Sequence, residues 1–520
     1  MPRRLIPILL TAMFVAHAWA MAIAVPVWQA PDEPLHFAVA RFVHQHGHYP
    51  NGRADLVDGE VVLSLGEAQF GDLKELKGDW DVIGDPNWPS MEDLLRKHRK
   101  PHGGNVEAGH PPLYYLTLAP LDVLLDGLSF PTEVLLLRMF SVLLAAPAVW
   151  LAFATVRLVW PRLMWLAVVV GAFLALVPQI AHTAGSINND TLMMSLGAAV
   201  LYLTARIVLE GPGTRLLALG SLFVLAGIFT KATGLVMLVV FGLGVLWAVF
   251  SRRAGLLRPA LALAVPVVAA GAWYGLRIRA GLPVGPVEAR PYVPIKIHRI
   301  SSIAYLRRFA FPRAFTSFWG RMGWLIVPLP DRWYRGLEVG TLLGALASSG
   351  ALVAAAMRRR LERHRTAFGV LAVLAAVLVA GSMFRSSIFA YRTYGEPRVL
   401  QGRYLFPVAG VLGAMLFGGF IVLAGRFRAI VGSLVVFGLV VVTCEGLWTV
   451  LRAFYGGNGV SLRVLASHLS AFSPLSIAFP TVVALFALVV VCAGTVVTLC
   501  WRSGRRPAGE EAEHLVVVSL

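Results

Sequence analysis

Charge is scarce in this sequence, and acid is scarcer than base. Only 14% of the 520 residues are charged, while 57% are hydrophobic and the mean hydropathy is +0.71. That excludes an ordinary soluble enzyme, whose surface needs roughly a quarter of its residues charged. Cysteine is nearly missing too. Cys444, Cys492 and Cys500 all fall in apolar segments, which excludes a disulfide framework or zinc-ligand spacing and leaves them as small buried hydrophobes. An internal repeat is also missing, and the apolar runs contain few acids apart from Glu445. Transporters usually carry both a repeat and a midplane site, so a transporter or lipid flippase is the rival reading rather than the first.

What the chain does have is long apolar runs punctuated by arginine. The formal charge of +18 reports membrane topology here rather than nucleic-acid binding. The first run, Leu5 to Trp28, exceeds the roughly 20 residues needed to cross a 30 Å hydrocarbon core. It is too long for a secretory signal, and Trp28-Gln29-Ala30-Pro31 is a poor cleavage site, so it reads as a retained helix. Arg157 and Arg162, Arg206 and Arg215, Arg252 with Arg253, Arg358 to Arg360, Arg426 with Arg428, and Arg502 then separate further runs. Placing all of them in the cytoplasm requires an even number of spans, about twelve, with both termini inside. The expected fold is therefore an all-α polytopic membrane protein. Counting Leu113 to Leu128, which carries Asp122 and Asp126, would give thirteen and invert the later loops; it reads instead as an interfacial helix.

This topology divides the chain into a first span (1–28), a long first outer loop (29–133), spans two to seven (134–276), a basic aromatic outer loop (277–335), spans eight to twelve (336–501) and a cytoplasmic tail (502–520). The first loop holds turn-rich sequence such as Asp79-Trp80-Asp81 and Asp85-Pro86-Asn87-Trp88-Pro89. The second interleaves arginines with Phe309, Phe311, Phe315, Phe318, Trp319 and Trp324, as a belt at headgroup depth does.

The unusual polar residues gather at the outer helix ends. Asp32, Glu33 and His36 follow the first span, His110-Pro111-Pro112-Leu113-Tyr114-Tyr115 closes the same loop, and Ser186-Ile187-Asn188-Asn189-Asp190 follows the third. Lys231 follows the fifth span, and Gln401-Gly402-Arg403-Tyr404 precedes the tenth. Random placement would scatter them over both faces, so they point to one outward-facing site. His44, His46 and His48 tempt a zinc reading, but alternate positions lie on different faces of a helix and no acid completes a set there.

The pattern resembles the C-type (GT-C) superfamily of membrane glycosyltransferases, which use polyprenyl-phosphate-linked sugars outside the membrane. Asp32-Glu33 looks like its acidic motif in the first outer loop, and His110 to Tyr115 like the proline pair ending that loop. Within the superfamily the chain is similar to a bacterial family of predicted membrane proteins of unassigned function, through Pro31 to Phe37, Ser186 to Asp190, Ser317 to Trp324 and Gln401 to Pro407. The resemblance implies sugar transfer from a polyprenyl phosphate to a glycan, lipid or protein hydroxyl at the outer face of a bacterial plasma membrane. Nucleic acid has no part in it.

Such transfer needs a carboxylate to take the acceptor's proton, and Asp32 is the first choice, with Glu33 beside it in the catalytic set. A single base opposite the leaving phosphate predicts inversion. Lys231, Arg403, Tyr404 and Arg321 are the candidates for the donor phosphate. His36, His110, Asn188 and Asn189 are the candidates for substrate contact. Asp190 is the candidate ligand for a divalent cation such as Mg or Mn, although Asn-Asn-Asp departs from the superfamily's paired acids and makes a metal-independent site plausible. The second rival is a relative that binds the lipid carrier without catalysis.

Overall fold

A computed structural model of the chain describes residues 2–50, 56–57, 59–77, 88–97, 102–282, 284, 300–357, 362–394, 400–456 and 460–504. The Asp79-Trp80-Asp81 and Asp85-Pro86-Asn87 turns, His98, Arg358 to Arg360, much of the basic loop between 285 and 299, and the tail beyond 504 lie outside them.

Among the described residues, ten helices are long and apolar enough to cross a bilayer, from Arg4–Ala24 to Ala478–Ser503. Met164–Leu176 with Pro178–Ala184 makes an eleventh if the 58° bend between them is one broken span. The expected twelve is reached only by adding Thr214–Ile228, whose 15 residues rise only about 22 Å. The thirteenth candidate is shorter still, at 13 residues in Leu113–Leu125. The chain is an all-α polytopic membrane protein.

Burial sorts these helices into an inner and an outer set. In Asp190–Glu210 78% of the apolar window is buried, against 6% in Asp331–Met357. The latter leaves Leu342, Leu346, Leu352 and Met357 uncovered, an arrangement water would not tolerate and hydrocarbon does. Pro2–Ala24 is central, packing against Ala478–Gly504, Met164–Leu176 and Pro147–Val159. On the outer side, Gly419 lets Ala409–Leu423 approach Asp331–Met357 closely. A Cβ there would stand 2.1 Å from the Ser348 amide nitrogen, so only glycine fits.

The break at Val177 follows from Pro178. The residue before a proline is pushed to an extended conformation, and Val177 adopts φ −68, ψ 119. Carbonyls freed by the break need donors in an apolar setting. His17 Nδ1 supplies one to Ala175 at 2.9 Å, and Thr443 Oγ1 one to Leu176 at 2.5 Å.

The segment that follows the first helix builds a second small core, which Ile187 joins. Trp28, Phe37, Val61, Leu94, Tyr114, Tyr115, Phe130 and Ile187 pack together there, and Trp28 Nε1 donates to Ser64 Oγ at 3.1 Å. Full burial of each large side chain contributes about 1.5–3 kcal/mol. The long loop is thus a folded platform, and Glu33–His46 is its main helix.

Candidate active site

Asp32 stands at the entrance of helix Glu33–His46 in a left-handed conformation, φ 65. Aspartate is one of the few side-chain-bearing residues that visits this region readily. Its backbone carbonyl accepts from the amides of Leu35 at 3.1 Å and His36 at 3.0 Å. Its side chain makes no capping bond and pairs with Arg403 instead.

Arg403 comes from the 3-10 turn Gly402–Val408. That turn is locked by Gly402, whose amide donates to Ser317 Oγ at 2.9 Å and whose missing Cβ would lie 2.3 Å from the Phe318 nitrogen. The guanidinium also donates to the Pro31 carbonyl at 3.2 Å and lies 3.5 Å from Asp190 Oδ2. Asp190 opens helix Asp190–Glu210, and its other oxygen accepts from Lys231 Nζ at 2.5 Å. The Tyr404 ring lies under both cations, 4.9 Å from Lys231 Nζ and 5.5 Å from the Arg403 guanidinium carbon. Asp32, Arg403, Asp190 and Lys231 therefore form one chain of alternating charge. Its most open member is Asp32, with a side chain 26% exposed against 6% for Arg403 and 9% for Lys231. Burial pushes the Lys231 ammonium below its ordinary value, with Asp190 opposing.

Glu33 does not join that chain. Its carboxylate is fully buried and takes a bidentate pair from Arg138, Nε at 2.8 Å and Nη2 at 2.6 Å, plus the Ile187 amide at 3.1 Å. Arg138 spends its remaining donors on the carbonyls of Ala22, Val25 and Pro26. The expected catalytic place of Glu33 is corrected accordingly: Asp32 sits before the helix in a left-handed turn while Glu33 is its first residue, so the two side chains diverge and Glu33 faces the scaffold.

Arg321 also stands apart. It begins a two-residue strand paired with Val327–Pro328, and its Nε donates to the Leu325 carbonyl at 2.6 Å, closing its own hairpin. The hairpin is docked through Gln179 Oε1, which accepts from the Arg321 amide at 2.6 Å, and His182 Nε2, which accepts from Gly323 at 3.1 Å. No described contact links Arg321 to Asp32, Arg403 or Lys231.

Asp190 does not fit a metal ligand. Both its oxygens face cations, and among the described residues no three His, Cys, Asp or Glu side chains are placed to share an ion. A divalent cation there would meet two positive charges at contact distance.

His36 and His110 are brought together, with ring centroids 6.2 Å apart, by a residue the sequence gave no reason to single out. Glu107 Oε2 lies 2.8 Å from His110 Nε2 and 3.8 Å from His36 Nε2. His36 Nδ1 meets the Tyr115 hydroxyl at 2.8 Å. Burial lowers the His36 value to about 4, against the opposing charge of Glu107. Asn188 Oδ1 accepts from the Asp190 amide at 2.8 Å, and the Asn188 amide donates to Tyr114 Oη at 2.7 Å. The buried Asn189 side chain has no protein partner among the described residues. His44 lies elsewhere, 2.6 Å from Asp122 in a buried group with Arg41 and Glu133. His46 stacks on Phe42.

The family described as Predicted membrane protein (DUF2142) matches residues 13–412. The chain belongs to that family. No curated protein matches this DUF2142 member. Among solved structures, ArnT from Cupriavidus metallidurans bound to undecaprenyl phosphate is similar at 15% identity, with 96% of this chain and 78% of that one covered and a TM-score of 0.46. Its apo form gives 15% identity, 93% and 74% coverage and a TM-score of 0.44. The Archaeoglobus fulgidus oligosaccharyltransferase in the apo form gives 11%, 92% and 56%, and 0.40. Likeness at this level carries no inference about the chemistry of this DUF2142 protein, which rests on its own residues.

Proposed function

We propose that the protein is an integral membrane glycosyltransferase that moves a sugar from a polyprenyl-phosphate donor to an acceptor hydroxyl, with inversion, at the outer face of a bacterial plasma membrane. The observation that carries this reading is the charge chain Asp32, Arg403, Asp190, Lys231, in which a partly open carboxylate is wired to two nearly buried cations. The arginines that separate the apolar runs, Arg157, Arg206 and Arg252 among them, support cytoplasmic termini.

The chain suits the two halves of the reaction. Asp32 takes the proton as the acceptor O–H bond breaks and the oxygen attacks the anomeric carbon. The bond from that carbon to the phosphate oxygen breaks, and its electron pair stays on the phosphate. Before reaction, two carboxylates balance the two cations, which leaves little attraction for a further anion. Once Asp32 is protonated, Arg403 loses one of its counter-charges and turns to the departing phosphate. Lys231 adds a second charge where little water competes. Tyr404 keeps both cations in place, and Glu33 holds the platform. A positioned base contributes about 10²–10⁴ in rate.

Purified protein incubated with polyprenyl-phosphate mannose, glucose and arabinose tests this reading. Release of free lipid phosphate from at least one donor is expected. No release from any of them, with the protein folded, removes the proposal.

A further inference from the structure

Glu445 lies inside an apolar helix and takes no part in the reaction above. It belongs to Arg428–Leu451 and sits about 9 Å inward of that helix's last residue. An acid at that depth is costly unless it is paired or faces a cavity. Both conditions hold here. Glu445 Oε1 lies 3.7 Å from Arg332 Nη2, and Glu445 lines an open groove of about 780 Å³. That volume falls in the range of about 300–1,000 Å³ typical of small-ligand sites.

One helix supplies the floor. Glu445, Trp448, Thr449 and Arg452 all line the groove, and their spacing along the chain sets them on a single helical face. Arg332, from the first turn of Asp331–Met357, and Leu76, from the platform that follows the first helix, stand in the walls. The groove opens on the same side as Asp32. The carbonyl of Phe70, which begins the short helix Phe70–Lys74, accepts from Gln29 Nε2 at 3.1 Å. Lys74 Nζ lies 4.2 Å over the Trp324 ring, whose Nε1 donates to the Trp28 carbonyl at 2.8 Å. Leu76 is thus tied to the turn that presents Asp32.

The charge in the groove favours an anion. Arg332 and Arg452 outnumber Glu445, the one acid among its described lining residues. At 3.7 Å the contact between Arg332 and Glu445 is electrostatic rather than a hydrogen bond, so the guanidinium keeps N–H donors for a ligand. Arg452 is exposed, and among the described residues no carboxylate pairs with it. A zwitterionic head would bring an ammonium toward two guanidiniums, so the net charge selects a head without one.

The surroundings favour a lipid over a soluble ion. Trp448 is exposed near the end of a spanning helix, where indole rings sit at headgroup depth. Further down the same stripe, close to three and four turns away, Phe437 and Leu434 are also uncovered. An acyl chain lies along such an apolar track, and a free phosphate has no use for it.

We propose that this groove binds a single anionic phospholipid from the leaflet on the Asp32 side. Arg332 and Arg452 hold its phosphodiester, Glu445 draws Arg332 over the groove, and an acyl chain runs down the Trp448 stripe. The site is separate from the charge chain, since among the described residues no ion pair links Arg332 or Arg452 to Asp32, Arg403, Asp190 or Lys231. It stands whether or not the transferase reading does.

Native mass spectrometry of the full-length protein in detergent, titrated with phosphatidylglycerol, phosphatidylethanolamine and phosphatidylcholine of matched chains, reads the first bound lipid. Wild type is expected to take its first phosphatidylglycerol at least tenfold more tightly than either zwitterionic lipid. R452Q breaks no ion pair and is expected to keep the wild-type melting temperature, and both it and R332Q should lose that preference. R308Q, at an exposed arginine of the basic loop outside the groove lining, should stay within twofold of wild type. Equal affinity for phosphatidylglycerol and phosphatidylcholine in wild type, or a preference within twofold of wild type in folded R452Q, overturns the site. So does an equal loss in R308Q, which would mean a diffuse basic surface. Displacement of the first phosphatidylglycerol by millimolar inorganic phosphate would assign the groove to a soluble anion and overturn the lipid.

Discussion

Arg403 reaches across 371 positions of sequence to the Asp32 carboxylate and, with its other terminal nitrogen, holds the Pro31 carbonyl at 3.2 Å. One side chain thus fixes both the base and the backbone that presents it. R403A would leave Asp32 and Asp190 short of a counter-charge in a dry setting, at a cost of about 3–5 kcal/mol. R403K restores charge but not the planar fork. Expected in detergent are a clear fall in melting temperature for R403A, recovery of part of it in R403K, and lipid phosphate release depressed in both. An R403K variant as active as wild type would remove the fork from the reaction.

Removing the base without removing the pairing geometry separates catalysis from binding. D32N keeps shape and a hydrogen-bond acceptor for Arg403 but cannot take a proton. Transfer should drop about 10²–10⁴-fold, while retention of polyprenyl phosphate, followed by native mass spectrometry, persists. Transfer by D32N at the wild-type rate would take Asp32 out of its assigned role.

The neighbouring acid should behave in the opposite way. Glu33 and Arg138 are both almost fully buried and joined by two short hydrogen bonds. Replacing the carboxylate strands a guanidinium in the interior, costing about 3–5 kcal/mol. E33Q is therefore expected to lower the melting temperature by several degrees while the fraction that stays folded keeps the wild-type KM for donor. A kcat collapse at unchanged stability would return Glu33 to the chemistry.

The legible part of this site was the part that costs most in a membrane. Asp32, Lys231 and Arg403 interrupt apolar runs, so each demands a partner, and the partners turn out to be one another and Asp190. Which of two adjacent acids faces inward was not legible. The left-handed turn at Asp32 and the arginine on another helix decide it, although Arg138 inside an apolar run was itself a signal for a buried acid. Glu107 was hidden for a different reason. It lies in polar loop sequence without periodicity, and only Asn105, which accepts from the Glu107 amide and donates to the Leu35 carbonyl, brings it to His36. The count of twelve spans rests on Thr214–Ile228, because hydropathy is blind to length and its 15 residues are short for a span.

The pairing of Asp190 with two cations makes a claim about cofactors. If Lys231 and Arg403 supply the charge that neutralises the leaving phosphate, added Mg or Mn has no place beside Asp190. Activity measured in EDTA should equal activity in millimolar magnesium. D190N should weaken donor binding by releasing Lys231 and Arg403 from their positions. A tenfold or greater stimulation by magnesium, lost in D190N, would restore Asp190 as a metal ligand.

His36 sets an acid limit on stability. Its value falls from 6.5 to about 4 in the folded chain, because burial disfavours the imidazolium more than Glu107 and Asp32 favour it and because His110 and Arg403 add repulsion. Between those two values the unfolded chain binds the proton and the folded chain does not, so stability rises with pH across that window. The contribution is fully present above pH 6.5 and is lost as pH falls toward 4, with a ceiling of about 3 kcal/mol for this shift. H36Q cannot titrate and keeps an acceptor for the Tyr115 hydroxyl. Melting temperatures taken at pH 7.5 and pH 5 should therefore fall further in wild type than in H36Q, since the histidines remote from His36 contribute equally to both. Equal falls would mean that His36 is already charged in the folded state and that the carboxylate of Glu107 governs its proton.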